Sequence, residues 1–296
     1  MIKMQQTDRR FKSTGGFLSL CLAVFVVMFC SSHVLAQNLR PKKIISFDLC
    51  VDQLLLGIVP KEKIAAVTFL TSDENYSTMS WEYKGLPITG GSVEDVFKYK
   101  ADLVLVGEFE PAAKVRLMKN LGFNVHVIPL ALSVSNLRQT ILKIGQLTGH
   151  EENATKLIRH FNKELQDLGG EANPEGKGRK SRAIFLAARR HTQGKNSVVN
   201  TLFDISGYQN IALETGHEEG GFVGLEQLID AAPDLIMIGK AKTDAPSLAT
   251  GVLSHPALRD LARNRQQVDM EQKYLLCLTP GILEAARQLK QKKGTR

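Results

Sequence analysis

The sequence predicts an α/β protein of two lobes of strand-helix repeats, each lobe with its own central sheet, bridged by one long rigid helix and leaving a ligand cleft between the lobes. Three observations predict it. Strand-like and helix-like segments alternate on both sides of a midpoint, the pattern of a parallel or mixed sheet covered by helices on both faces. At that midpoint, residues 150–168 read HEENATKLIRHFNKELQDL. Ala154, Leu157, Ile158, Phe161, Leu165 and Leu168 recur there at steps of three and four, one stripe of an amphipathic helix that no strand could present on one face. Finally, residues 93–107 (VEDVFKYKADLVLVG) align without gaps on 225–239 (LEQLIDAAPDLIMIG). Glu94 meets Glu226, Asp102 meets Asp234 and Gly107 meets Gly239, an offset far beyond the ~20 to 50 residues of solenoid repeats.

Taken in order, Lys3, Arg9, Arg10 and Lys12 precede an apolar run from Phe17 to Phe29, followed by small residues up to Ala36. That is the form of a cleavable secretory signal over residues 1–36, its core shorter than the ~20 residues of a membrane span. Cys30 raises lipidation, although the bulky Phe29 before it suits that poorly. The first lobe, 37–149, begins with a buried strand at 43–47, and Asp48 is placed to cap the helix that follows. A second strand is expected at 64–67. Residues 71–91 have no period and carry Tyr76, Trp81, Tyr83 and Gly90-Gly91, and so read as a long loop. Then come a helix at 93–99, a strand at 103–106, a helix at 111–121, a strand at 125–128 and a helix at 135–147. Gly149 suits the end of that helix, Glu151 and Glu152 suit the positive end of the bridging helix's dipole, and Gly169-Gly170 stops it. At ~1.5 Å per residue the bridge is ~28 Å long. The second lobe, 169–296, opens with a Gly, Pro and charge-rich loop. It continues with a strand at 182–186, helices at 201–205 and 225–231, a strand at 235–238, a helix at 256–262, a strand at 267–269 and a helix at 280–290.

The net charge is +8, its densest basic clusters fall in a loop and at the C-terminus, and aromatics are not interleaved with them, which argues against nucleic acid. Motifs for nucleotide binding, serine hydrolases and zinc peptidases are absent, so no cofactor and no protein-held metal are expected. Cys50 and Cys277 remain after signal removal. In an oxidising compartment they are either a disulfide or two buried thiols, and spacing does not choose. At strand ends, where ligands of α/β sheets bind, stand Asp48, Gly91 and Phe109 of the first lobe and Arg189, Arg190, His191 and Lys240 of the second. Arginine pairs suit planar anions, and Trp81, Tyr83 and Phe109 suit an apolar wall. An acid at a helix start favours its dipole by ~0.3 to 1 kcal/mol, so Glu94 and Glu226 are either helix-stabilising or a matched pair of exposed acids, one per lobe.

The segments PKKIISFDLCVDQLLL, SVEDVFKYKADLVLVG, LGFNVHVIPL, GHEENATKLI, GLEQLIDAAPDLIMIG and SHPALRDLA together resemble the periplasmic binding proteins of ABC importers for cobalamin, ferric siderophores and haem. The resemblance runs through nearly all of the mature chain. It implies limited hinge motion, a metal chelate bound in the cleft, and docking of Glu94 and Glu226 onto basic residues of an inner-membrane permease. The expected location is the periplasm, and a monomer is expected. Leu275-Leu276-Cys277 stands where an aromatic is common near the cleft, so the ligand stays open among an iron siderophore, placed first because of the basic residues, a cobalamin-like compound and haem. Two other classes remain: an exported enzyme using Asp48, Glu108 or His191 as acid or base, and a non-transport scaffold.

Overall fold

The computed structural model describes residues 40–169, 181–240 and 265–293. The signal segment with Cys30 and the expected helix at 256–262 lie outside them. In the first lobe the chain runs β1 (Ile44–Ser46), α1 (Leu49–Ile58), β2 (Ile64–Thr68), β3 (Ile88–Thr89), α2 (Val93–Lys98), β4 (Leu103–Gly107), α3 (Ala112–Asn120), β5 (Val125–Ile128) and α4 (Val134–Thr148). The five strands form one parallel sheet in the order β3-β2-β1-β4-β5. After the bridging helix α5 (Glu151–Asp167) come β6 (Ser181–Leu186), β7 (His191–Thr192), α6 (Val198–Ser206), β8 (Tyr208–Asn210), β9 (Gly221–Phe222), α7 (Leu225–Ala231), β10 (Leu235–Lys240), β11 (Gln266–Glu271), α8 (Lys273–Leu276) and α9 (Ile282–Lys293). Strands β11-β10-β6-β8 form a second parallel sheet, and β7 pairs antiparallel with β9.

The internal repeat has a structural counterpart. The order β2-β1-β4-β5 of the first sheet matches β8-β6-β10-β11 of the second, with the repeated strands β4 and β10 in the same place. The matched acids do the same job in both. Asp102 accepts the amides of Lys42 and Lys43 at 2.8 and 2.9 Å, and Asp234 accepts the amide of Arg182 at 2.8 Å. Each thereby holds the start of its lobe's first strand against the strand that follows the repeated helix.

Local chemistry sets the helix limits. Asp48 caps α1 by accepting the Val51 amide at 2.9 Å, Ser92 and Asp95 form a capping box on α2, and Ser133 and Ser197 cap α4 and α6. Gly149 and Gly207 end those two helices in the left-handed conformation, at φ 72° and 75°. Helix α5 buries Ala154, Phe161 and Leu165 of the predicted stripe. Its first half packs on α4, where a Cβ on Gly145 would stand 2.6 Å from that of Ala154, and Asn153 donates to the Ile58 carbonyl at the end of α1. Its last turns meet α9 instead, through Arg287 on Glu164 and Lys290 on the Leu168 carbonyl. A single buried core extends from Ile44 and Leu55 of the first lobe through Phe161 to Phe203 and Leu289 of the second.

The sequence reading missed short elements and misplaced some helix ends: α8 was not anticipated, α6 begins three residues before the expected 201, and α9 ends three beyond the expected 290. β3 falls inside the segment read as a loop, and β7, β8 and β9 were not anticipated, because strands of two or three residues are too short to carry a period of two.

Candidate functional site

Both sheets are parallel, so the loops that leave their strands gather at one edge of each. The two edges meet: Cys50, in the first turn of α1 after β1, forms a disulfide with Cys277, after β11 and α8, at a Cα separation of 5.3 Å. Thr201 of α6 adds a hydrogen bond to the Leu132 carbonyl at 2.6 Å. Thr78 lies so close to Gly281 that a Cβ there would meet its Oγ1 at 2.8 Å. At this junction lies a cavity of about 330 Å³, within the ~300 to 1,000 Å³ range of small-molecule sites. One wall is the first lobe, from Asp48 to Val51, Gly107 to Phe109 and Ile128 to Ala131, with Leu54, Leu70, Tyr76 and, from α4, Thr140. The other is Leu276 to Leu278 of the second lobe.

Asp48 reaches this wall because β4 ends in a glycine. A Cβ at Gly107 would stand 2.2 Å from the Asp48 Oδ2. Burial pushes the Asp48 carboxyl above its ordinary value, helped by the charges of Glu110 and Glu108 and opposed by the amides of Val51 and Cys50. Glu108 accepts the Leu130 amide at 3.2 Å. Glu110 is taken up by Lys114 at 2.7 Å. Phe109 is 80% exposed while lining the cavity.

Of the expected ligand-binding residues, Asp48 and Phe109 line this cavity, together with both cysteines; Trp81, Tyr83, Gly91, Arg189, Arg190, His191 and Lys240 do not. Trp81 is exposed with the Lys84 ammonium 3.6 Å from its ring centre, and Tyr83 packs half-buried against the core. Gly91 takes φ 76°. Arg189 and Arg190 are both left-handed, at φ 57° and 60°, and the Arg190 Nε donates to the Val223 carbonyl at 2.9 Å, holding the turn before the β7–β9 pair. The His191 ring meets Phe222 edge-on at 5.4 Å. Lys240 pairs with Asp269 at 2.5 Å. Glu94 and Glu226 are exposed, each the second residue of the equivalent helices α2 and α7. Sequence reasoning missed the segment after β5 and Thr140. The latter left a trace: a hydroxyl among Leu137, Ile141 and Ile144, which are all buried on the inner face of α4.

Among the described residues no group of three or more His, Cys, Asp or Glu side chains is arranged to hold a metal ion. A ligand that arrives already chelated requires none.

Comparison with known proteins agrees with this architecture. In the solved structure of the periplasmic haem-binding protein RhuT from Roseiflexus sp. RS-1, 97% of that chain is matched by 85% of this one at a TM-score of 0.69 and 19% identity. In sequence, the chain is 26% identical over 210 residues to the Bacillus subtilis (strain 168) ABC transporter substrate-binding lipoprotein YvrC, and 24% identical over 183 residues to an iron-uptake system-binding protein of the same organism. These alignments cover 67% and 58% of this chain and span 63% and 52% of the two relatives' own length. The model of the periplasmic binding protein family matches residues 44–273, from the first strand of the first lobe to the strand that carries the chain to Cys277, and on that match the chain belongs to the periplasmic binding protein family.

Proposed function

We propose that the protein captures a metal chelate outside the inner membrane and delivers it to the permease of an ABC importer. One observation carries the reading: a largely apolar cavity at the joined strand ends of two equivalent lobes, closed by residues of both. An iron chelate is the first choice, supported by the iron-uptake relative, and a cobalamin-like compound the second. The enzyme reading loses ground because Asp48 caps a helix and lies in an apolar wall, while His191 is outside the cavity. Incubating the exported chain with ferric siderophores, haem and cobalamin should give a one-to-one complex with one of them, the ligand recovered chemically unchanged. Steady conversion to a new product would remove the receptor reading.

Glu94 and Glu226 are the docking acids in this proposal. Losing both charge-assisted contacts and adding like-charge repulsion should slow uptake more than about tenfold in Glu94→Lys/Glu226→Lys. Chelate affinity should stay within about twofold, since both acids are outside the cavity, and raised salt should weaken docking of the unaltered protein. Normal uptake by the double variant would leave both acids with only their helix dipoles to serve.

A further inference from the structure

We propose that Asp48, Glu108 and Thr140 form the polar recognition set of the interlobe cavity, and that it selects chelates whose buried edge is cationic or rich in hydrogen-bond donors and rejects polyanions. This rests on the receptor reading and specifies its ligand class. It departs from the sequence expectation, in which Arg189 and Arg190 pointed to an anion.

The charges on the wall have one sign. Among the described lining residues Asp48 and Glu108 carry charge, and Lys, Arg and His are absent. Of the nearby cations, Lys114 pairs with Glu110, and Lys143, in the adjoining pocket beyond Thr140, donates to the Val127 carbonyl at 3.0 Å. Each lining carboxylate is held by backbone donors: Asp48 by the Val51 amide and Glu108 Oε2 by the Leu130 amide. Those bonds fix the carboxylates in place and leave each with acceptor capacity to spare, since an ionised carboxylate has about four lone-pair sites. Asp48, half-buried in a largely apolar wall, is less solvated than a surface carboxylate, so a donor or cation from the ligand gains more there than at an open surface, and the exposed Glu108 adds repulsion of the same sign against an anion.

Thr140 adds a hydroxyl-bearing residue to the same wall. Its side chain is 5% exposed and it lines the cavity. A threonine hydroxyl can both donate to and accept from a ligand. Beside these groups the exposed ring of Phe109 offers a face that suits a cation or a flat chelate.

The test is a charge series of three ferric chelates of similar size: a linear trihydroxamate with a free ammonium group, a neutral cyclic trihydroxamate and a trianionic tris-catecholate. Dissociation constants are measured for the unaltered chain, Glu108→Gln, Asp48→Asn/Glu108→Gln and Thr140→Val. Asparagine remains a good helix cap, and Glu108 is exposed, so the single Glu108→Gln variant tests the rule even where the double one folds poorly. The unaltered chain should bind the cationic chelate at least about tenfold more tightly than the trianion, and the gap should shrink to about threefold or less in the double variant. Thr140→Val should weaken all bound members alike and keep their ranking. Preference for the trianion, or a gap unchanged by the carboxylate variants, overturns the charge rule alone. Binding of none of the three, nor of haem or cobalamin, overturns the receptor reading and the rule with it.

Discussion

Breaking the Cys50–Cys277 bridge is expected to cost the protein several kcal/mol of stability. The two residues are 227 positions apart, and closing a loop of that length in the unfolded chain corresponds to ~5 kcal/mol in the chain-entropy account, above the ~2 to 4 kcal/mol of a typical bridge. The bridge also joins the two lobes at the cavity, with Cys50 in the first turn of α1 and Cys277 2% exposed. Its loss should therefore reach binding as well as folding. Urea unfolding of the oxidised chain, of the reduced chain and of Cys50→Ser/Cys277→Ser should show matching, large drops in midpoint for the last two. Chelate affinity should fall in step, because a cavity wall contributed by the second lobe is no longer tied to the first. A reduced protein with the midpoint of the oxidised one would show that noncovalent contacts, such as Thr201 on Leu132, hold the lobes by themselves.

The second large effect belongs to Asp52, on α1 behind the cavity wall. Its carboxylate is 0% exposed. Oδ2 accepts the Thr68 amide at 2.8 Å and the hydroxyls of Thr68 and Thr71 at 2.6 Å each, while Oδ1 is buried without a partner. Burial pushes its pKa up to about 6, against the hydrogen bonds from Thr68 and Thr71. The unfolded value is 3.8, so between these two pH values the folded chain holds a proton that the unfolded chain has lost. Stability from this group is full below the unfolded value and is lost as pH rises through about 6. The whole change is on the order of 3 kcal/mol, at 1.36 kcal/mol per pKa unit. Asp52→Asn keeps an acceptor for the threonines and removes the titration. Denaturation at pH 5 and pH 8 should show the unaltered chain losing stability between them and Asp52→Asn losing much less. Parallel losses in both proteins would place the pH dependence elsewhere.

Much of the architecture was legible because it is written in local chemistry. The stripe of the bridging helix, the Gly149 stop, the cap at Asp48, and the limits of β5 and α7 all follow from residues within a few positions of one another. The gapless repeat carried further, since a shared pattern of helix, acid and buried strand implies a shared place in two sheets, and β4 and β10 have it. The site was legible only in part. Asp48 and Phe109 were named from their position at strand ends, and so were Arg190 and Lys240. What the latter two do, holding the Val223 carbonyl and the Asp269 carboxylate, depends on partners 29 or more positions away.

The sequence by itself determined an α/β chain of two related lobes about one amphipathic helix, because hydrophobic period, capping residues and internal repetition act over short spans of chain. The tertiary structure alone decided that Cys50 meets Cys277, that Gly107 makes room for Asp48, and that Thr140 lines a cavity walled by both lobes. Those outcomes depend on how distant segments pack and which polar groups that packing satisfies, and neither is encoded in the spacing of residues along the chain.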